Sequence, residues 1–201
     1  MPASARLRRR GSVERCRVKH LTSRFSRWTL PAVLLFAAGC GAIRTPAKEA
    51  QNLFDRGAAY ARQGDNDLAI AYYNRGLELM PTFAWGYVSR GNIHRRKGHY
   101  DYAISDYTKA VELIPRFADA YLSRGIAYYL KGDYDRAIAD CTKTLALEPK
   151  NGLAHYSRAL AYYKIGDYSR AWYDVYKAYQ LGTPPDPEFV KNLRKATGTD
   201  A

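Results

Sequence analysis

Apolar positions between residues 50 and 183 recur every three or four residues, the spacing of one face of an α-helix. Tyr121, Gly125 and Tyr128 fall at i, i+4 and i+7. After Gly132-Asp133-Tyr134 the pattern resumes with Ala137, Cys141, Thr144 and Leu147. This predicts two helices joined by a short turn, with Gly132 supplying the turn and Pro149 stopping the second helix. The pair returns along the chain: Gly57, Gly91 and Gly125 are evenly spaced, and Ala159 continues the step. Ala69, Ala103, Ala137 and Ala171 keep the same step, as do Gly64, Gly98, Gly132 and Gly166, and Pro81, Pro115 and Pro149. Such a fixed period is the signature of a repeat architecture. The small residues predict that the two helices of a unit approach closely at Gly125 and Ala137. A single hairpin cannot bury its apolar face alone, and stacking buries it.

The run from Tyr121 to Tyr128, followed by Gly132 to Asp140, resembles the tetratricopeptide repeat (TPR) family. The resemblance covers about two-thirds of the chain. It implies an all-α fold, a right-handed TPR solenoid of four helix-turn-helix repeats at 50–83, 84–117, 118–151 and 152–183. His94 stands where the second unit should carry tyrosine, Ala159 replaces glycine in the fourth, and Gly182-Thr183-Pro184 blurs that unit's end. Beyond it, Asp186-Pro187-Glu188 reads as an N-cap, a proline at the first helical position and an acid in the first turn. With Phe189, Val190 and Leu193 as an apolar face, residues 184–201 are expected to form a capping helix and tail, as a solenoid end requires.

Charge is distributed unevenly. The formal net charge is +13, which on its own suggests nucleic acid. Residues 1–39 hold nine Lys and Arg against one acid, so the remainder carries 23 basic and 18 acidic residues. Most of the excess therefore belongs to a leader, and nucleic acid is a disfavoured partner. Leu30 to Ala38 is an uncharged stretch of nine residues between this basic run and Gly39-Cys40-Gly41. That is the plan of a secretory signal at 1–39, too short for a membrane-spanning helix. Ala37-Ala38-Gly39-Cys40 also resembles the bacterial lipobox, which implies that Cys40 carries lipid and that residues 40–48 form an anchor and short linker. With Cys40 acylated and the leader removed, Cys141 has no partner in the chain, so packing and not disulfides must hold the fold.

No catalytic, phosphate-binding or metal-binding motif is present, so neither an enzyme nor a cofactor is expected. His94 and His155 fall at inward repeat positions, where packing is the expected role. Arg56, Arg90, Arg124 and Arg158 precede the Gly/Ala column, and Asp106, Asp140 and Asp174 follow the last three of them at one constant interval. The expectation is an Arg–Asp bridge within each hairpin, contributing about 0–1 kcal/mol if partly exposed. The first unit has Tyr72 in the Asp position.

The family resemblance further implies a concave groove lined by the first helix of each unit. Carried over, the candidate partner-binding residues are Phe54; Trp85, Val88, Asn92, Arg95 and Arg96; Leu122, Ile126 and Tyr129; and Tyr156, Leu160, Tyr163 and Lys164. Phe54 and Ala58 stand where carboxylate-clamping TPR co-chaperones would have their Lys and the next polar groove residue, so that role is disfavoured. The expected function is a non-catalytic protein–protein interaction adaptor, a lipid-anchored scaffold of the bacterial cell envelope. It would sit on the outer membrane facing the periplasm and bind other proteins through an extended or helical segment. The alternative is a soluble intracellular TPR regulator whose basic N-terminal arm contacts anionic lipid or nucleic acid.

Overall fold

A computed structural model describes residues 45–198; residues 1–44, on which the expected leader and Cys40 fall, and residues 199–201 lie outside them. Among the described residues there are nine α-helices and no strand. They are α1 Pro46–Gln63, α2 Asn66–Leu79, α3 Ala84–Arg96, α4 Tyr100–Leu113, α5 Ala118–Lys131, α6 Tyr134–Leu147, α7 Gly152–Lys164, α8 Tyr168–Gln180 and α9 Pro187–Thr197. Successive helices pair into the four expected hairpins, and α9 follows as a cap.

Local sequence sets the boundaries. Gly64, Gly98, Gly132 and Gly166 turn the chain at φ values of +84°, +76°, +91° and +80°, a conformation in which a Cβ is penalised. Asp65, Asp133 and Asp167 then cap the second helices by accepting backbone N–H bonds from Leu68, Arg136 and Arg170. Pro81, Pro115 and Pro149 follow the ends of α2, α4 and α6, where they cost no helical hydrogen bond. One boundary differs from expectation. Thr45 caps α1 by accepting from the Lys48 N–H, and Pro46 begins the helix, so the end of the expected 40–48 linker is helical.

Within a hairpin the small column works as expected, but its necessity depends on what faces it. A Cβ on Gly57 or Gly91 would come within 2.8 Å of Tyr73 or Tyr107. In the fourth unit Val175 stands in that facing column, and Ala159 fits there fully buried. Between units a second small column meets an apolar one. Gly86 lies against Leu77 and Phe54, Ala120 shares a core cluster with Val111, and Ala154 belongs to the cluster that Leu145 packs on. Leu193 is completely buried among Ala159, Tyr162, Ala171 and Val175. It occupies the register of the Gly/Ala column, and no second helix packs on α9 among the described residues, so the position can be bulky.

Three arginines tie the hairpins together. Arg90, Arg124 and Arg158 each hold their own unit's Asp106, Asp140 or Asp174 through two nitrogens at 2.6–2.9 Å. The third nitrogen reaches back to the preceding unit, to Asn74, Thr108 and Thr142 respectively. The expected intra-hairpin bridge is thus also a link between hairpins. It is more buried than anticipated, with Arg124 16% and Asp140 9% exposed. Asp174, the most buried of the three aspartates, accepts from Arg158 and also lies 2.7 Å from His155 Nδ1. Arg56 has no such partner and lies over the Tyr72 ring, 5.8 Å from its centroid. Buried Cys141 forms no disulfide, and burial pushes its thiol up to about 12.

Candidate partner-binding surface

The first helices of neighbouring units approach one another, α1 to α3, α3 to α5 and α5 to α7. They therefore line the inner, tighter curve of the stack. Each presents the residues that its neighbours leave uncovered, and burial sorts the candidates into three groups.

The first group belongs to the core. Phe54 is buried, with its ring 4.7 Å from Phe83, because Gly76 and Gly86 leave the space it fills. Val88 and Leu122 are buried in the second and third units. None of the three is available as a surface anchor. The second group is covered by the chain itself. Tyr156 and Tyr163 are half-buried with their rings 5.9 Å and 5.5 Å from Phe189 of α9, and Leu160 packs in the same cluster. The capping helix occupies the place that a partner would take at that end of the inner face.

The third group remains accessible. Trp85 is 52% exposed while its ring meets Phe117 edge-on at 4.4 Å, a fixed aromatic with one free face. Asn92 is half-buried and accepts from the Tyr107 hydroxyl at 2.7 Å. Arg95 is half-buried beside it, and its Nε is enclosed without an acceptor among the described residues. Arg96 is exposed and donates to Asn66 Oδ1 at 3.1 Å. Ile126 is half-buried, as is Tyr129, which tilts against Tyr134 at 5.7 Å. Lys164 is exposed at the end of α7. The usable inner surface thus centres on α3 and α5, with one exposed aromatic at the start of α3 and two arginines at its end. Lys97 and Lys131 nearby are already paired with Asp67 and Asp101 of the preceding hairpins.

No group of three or more His, Cys, Asp or Glu among the described residues could hold a metal ion. No helix among them is long and apolar enough to cross a membrane. His94 sits between Arg90, His99 and Lys97 with its ring stacked on Tyr102 at 5.3 Å. Burial holds its imidazole below the usual histidine value; the Asp106 carboxylate opposes this, and Arg90 and Lys97 add to it.

An array of helical hairpins stacked at a fixed residue step, with first helices inward, defines a class of repeat scaffold. Sequence models of the tetratricopeptide repeat match residues 50–83 and 118–151, and a TPR repeat model matches 91–132. The chain is a tetratricopeptide-repeat protein. Its structure is similar to that of MamA, at 28% identity over 66% of this chain and 78% of that one, with a TM-score of 0.64. It is also similar to the first TPR of Spaghetti (RPAP3) bound to the HSP90 peptide SRMEEVD, at 27% identity over 62% of this chain and 98% of that one, TM-score 0.59. A third similar structure is the Arabidopsis OM64 TPR domain, at 25% identity over 58% and 97% of the two chains, TM-score 0.57. No curated protein matches the chain.

Reading the sequence missed two features of this surface. The back-bonding column of Asn74, Thr108 and Thr142 keeps the repeat's own step, but its residue types differ, so no motif marks it. The cover over Tyr156 and Tyr163 depends on the direction in which α9 returns. Phe189 was legible as apolar, though not what it would cover.

Proposed function

We propose that this chain is a non-catalytic adaptor that holds a segment of another protein on the inner face of α3 and α5. The observation that carries the reading is Trp85, half exposed at the start of α3, with Arg95 and Arg96 at the far end of the same helix. Aromatic and arginine anchors of this kind dominate protein interfaces, and rim charges act chiefly on association rate. The similar TPR domain bound to an HSP90 peptide supports peptide capture as the mode. The matching segment would be apolar with acidic flanks. We further propose that a lipid on Cys40 tethers the adaptor to the bacterial outer membrane, facing the periplasm. That rests on the basic leader, the short apolar run and the Gly39-Cys40 junction, since two or more acyl chains anchor stably.

Two experiments test the two halves. The partner that co-purifies from envelope extracts is identified, and its affinity is measured for Trp85→Ala and for Arg95→Glu with Arg96→Glu. Weakening of about tenfold or more with the melting point nearly kept is expected for Trp85→Ala, since hot-spot truncation costs at least about 2 kcal/mol. Unchanged affinity in both variants would overturn the inner-face reading. For the anchor, Cys40→Ser should abolish palmitate labelling, whereas an intact leader on the wild-type protein by mass spectrometry would favour the soluble regulator.

A further inference from the structure

The seam between α8 and α9 breaks a rule that the three earlier seams obey. There, Leu77, Val111 and Leu145 on the second helix of one unit meet Gly86, Ala120 and Ala154 on the first helix of the next. At the same register the last seam pairs Tyr179 with Glu188. A glutamate cannot be buried against an aromatic ring without a partner. Glu188 stays exposed instead, in a loose pair with Lys191 at 3.7 Å. The cap leans on α7 through Phe189 and leaves the end of α8 uncovered: Tyr176 is 60% and Tyr179 70% exposed. Between the two helices lies a cleft of about 630 Å³, within the range of ligand sites.

The walls of this cleft are Trp172, Tyr176, Tyr179 and Val190, and Lys191 and Arg194 stand on its α9 side, with no carboxylate among the lining residues. We propose that it is a second docking site, taking a short segment of another protein in which apolar residues are flanked by acidic ones. Charge selects this occupant. A second copy offering the same cleft would bring Lys191 and Arg194 against their own likeness. Among the described residues, the opposite end of the stack presents polar Gln51, Asn52, Asp55 and Arg56 to a second copy. An apolar segment with acidic flanks supplies what Tyr176 and Tyr179 lack, and its acids compete with Glu188 for Lys191. The site is separate from the α3–α5 surface, so each can fail without the other.

The test uses the full chain and two fluorescein-labelled peptides with the same Leu-Phe-Leu centre, one flanked by Glu and Asp and the other by Lys. Fluorescence anisotropy should show binding of the acidic peptide and at least about tenfold weaker binding of the basic one, a difference of about 1.4 kcal/mol. Tyr176→Ala with Tyr179→Ala should weaken the acidic peptide at least about tenfold without lowering the melting point, since both rings are largely exposed. Lys191→Glu should weaken it and reduce its salt dependence, whereas Trp85→Ala should leave it unchanged. Equal binding of both peptides, or none up to their solubility limit, overturns the proposal. So does loss in Trp85→Ala with retention in the tyrosine variant, which moves the peptide to the inner face. Binding of phosphatidylglycerol vesicles, or self-association in sedimentation, that is lost in the tyrosine variant would assign the cleft to a membrane or a second copy instead.

Discussion

At Gly91 an added Cβ would lie 2.8 Å from Cε1 of Tyr107, and that ring cannot swing aside because it is fully buried and its hydroxyl is bonded to Asn92. At Gly125 the nearest atoms are Cys141 Sγ at 3.2 Å and the Ala137 carbonyl oxygen at 3.3 Å, which small shifts accommodate. Alanine is also favoured over glycine inside a helix by about 1 kcal/mol. Gly91→Ala should therefore destabilise by about 1–3 kcal/mol through overpacking, and Gly125→Ala should be nearly neutral. Paired denaturation curves check this; equal costs would show that the facing residue does not matter. His94 makes a second prediction. Its imidazole is held below the usual value, first by burial. The unfolded chain therefore binds the proton more readily than the folded one. The stability contribution is fully present above the ordinary histidine value of about 6.5 and is lost as pH falls below it toward the folded value. Replacing His94 by Gln should flatten the acid side of the stability–pH curve relative to wild type. Parallel curves for the two proteins would refute it.

Helices here are held by their caps and by the charges between them. The Asp-x-x-Arg starts of α6 and α8 are local: Asp133 and Asp167 accept from the backbone and side chains of Arg136 and Arg170, and those guanidinium groups lie over Tyr128 and Tyr162. The arginine links are longer in range. The expected 0–1 kcal/mol assumed partly exposed pairs, but breaking a mostly buried pair strands a charge. Asp140→Ala leaves Arg124 with Thr108 as its hydrogen-bond partner among the described residues and the Tyr121 and Tyr128 rings beside it, but no carboxylate, and should cost about 3–5 kcal/mol. Arg124 and Asp140 replaced together by similarly sized apolar residues should cost less than Asp140→Ala alone. Thermal melts of both variants decide between a stranded charge and a simple loss of attraction. If the double variant is the less stable, the attraction itself is what matters.

A stack of this kind has no single core; each hairpin contacts only its neighbours, and the described core divides into five clusters. Stability is then a sum of unit and seam terms. The two central hairpins, α3–α4 and α5–α6, have seams on both sides. Helix α1 has none before it among the described residues, and the α8–α9 seam is open. Hydrogen exchange should accordingly show strongest protection in α3–α6 and earliest exchange in α9 and α1. Uniform protection across all nine helices would mean that the stack unfolds as one unit.

The repeat units were legible in the chain alone, because turn glycines, capping aspartates and post-helix prolines act within a few residues of their own position. So were the Arg–Asp columns, whose constant interval lies within one hairpin. Packing between units, by contrast, settles which inner residues stay accessible. Phe54, Val88 and Leu122 share the helical face of the proposed groove, yet packing from the next unit buries them, while Trp85 stays half free. Tyr156 and Tyr163 have the same residue type and periodicity as open groove aromatics, and only the return of α9 places Phe189 over them. The open cleft at Tyr179 arises in the same way. Glu188 is an ordinary first-turn acid in sequence, and becomes the residue that unseats a seam only when register sets it opposite an apolar column. Spacing along the chain fixes what lies one turn away, whereas burial depends on which surfaces the stacked units bring together.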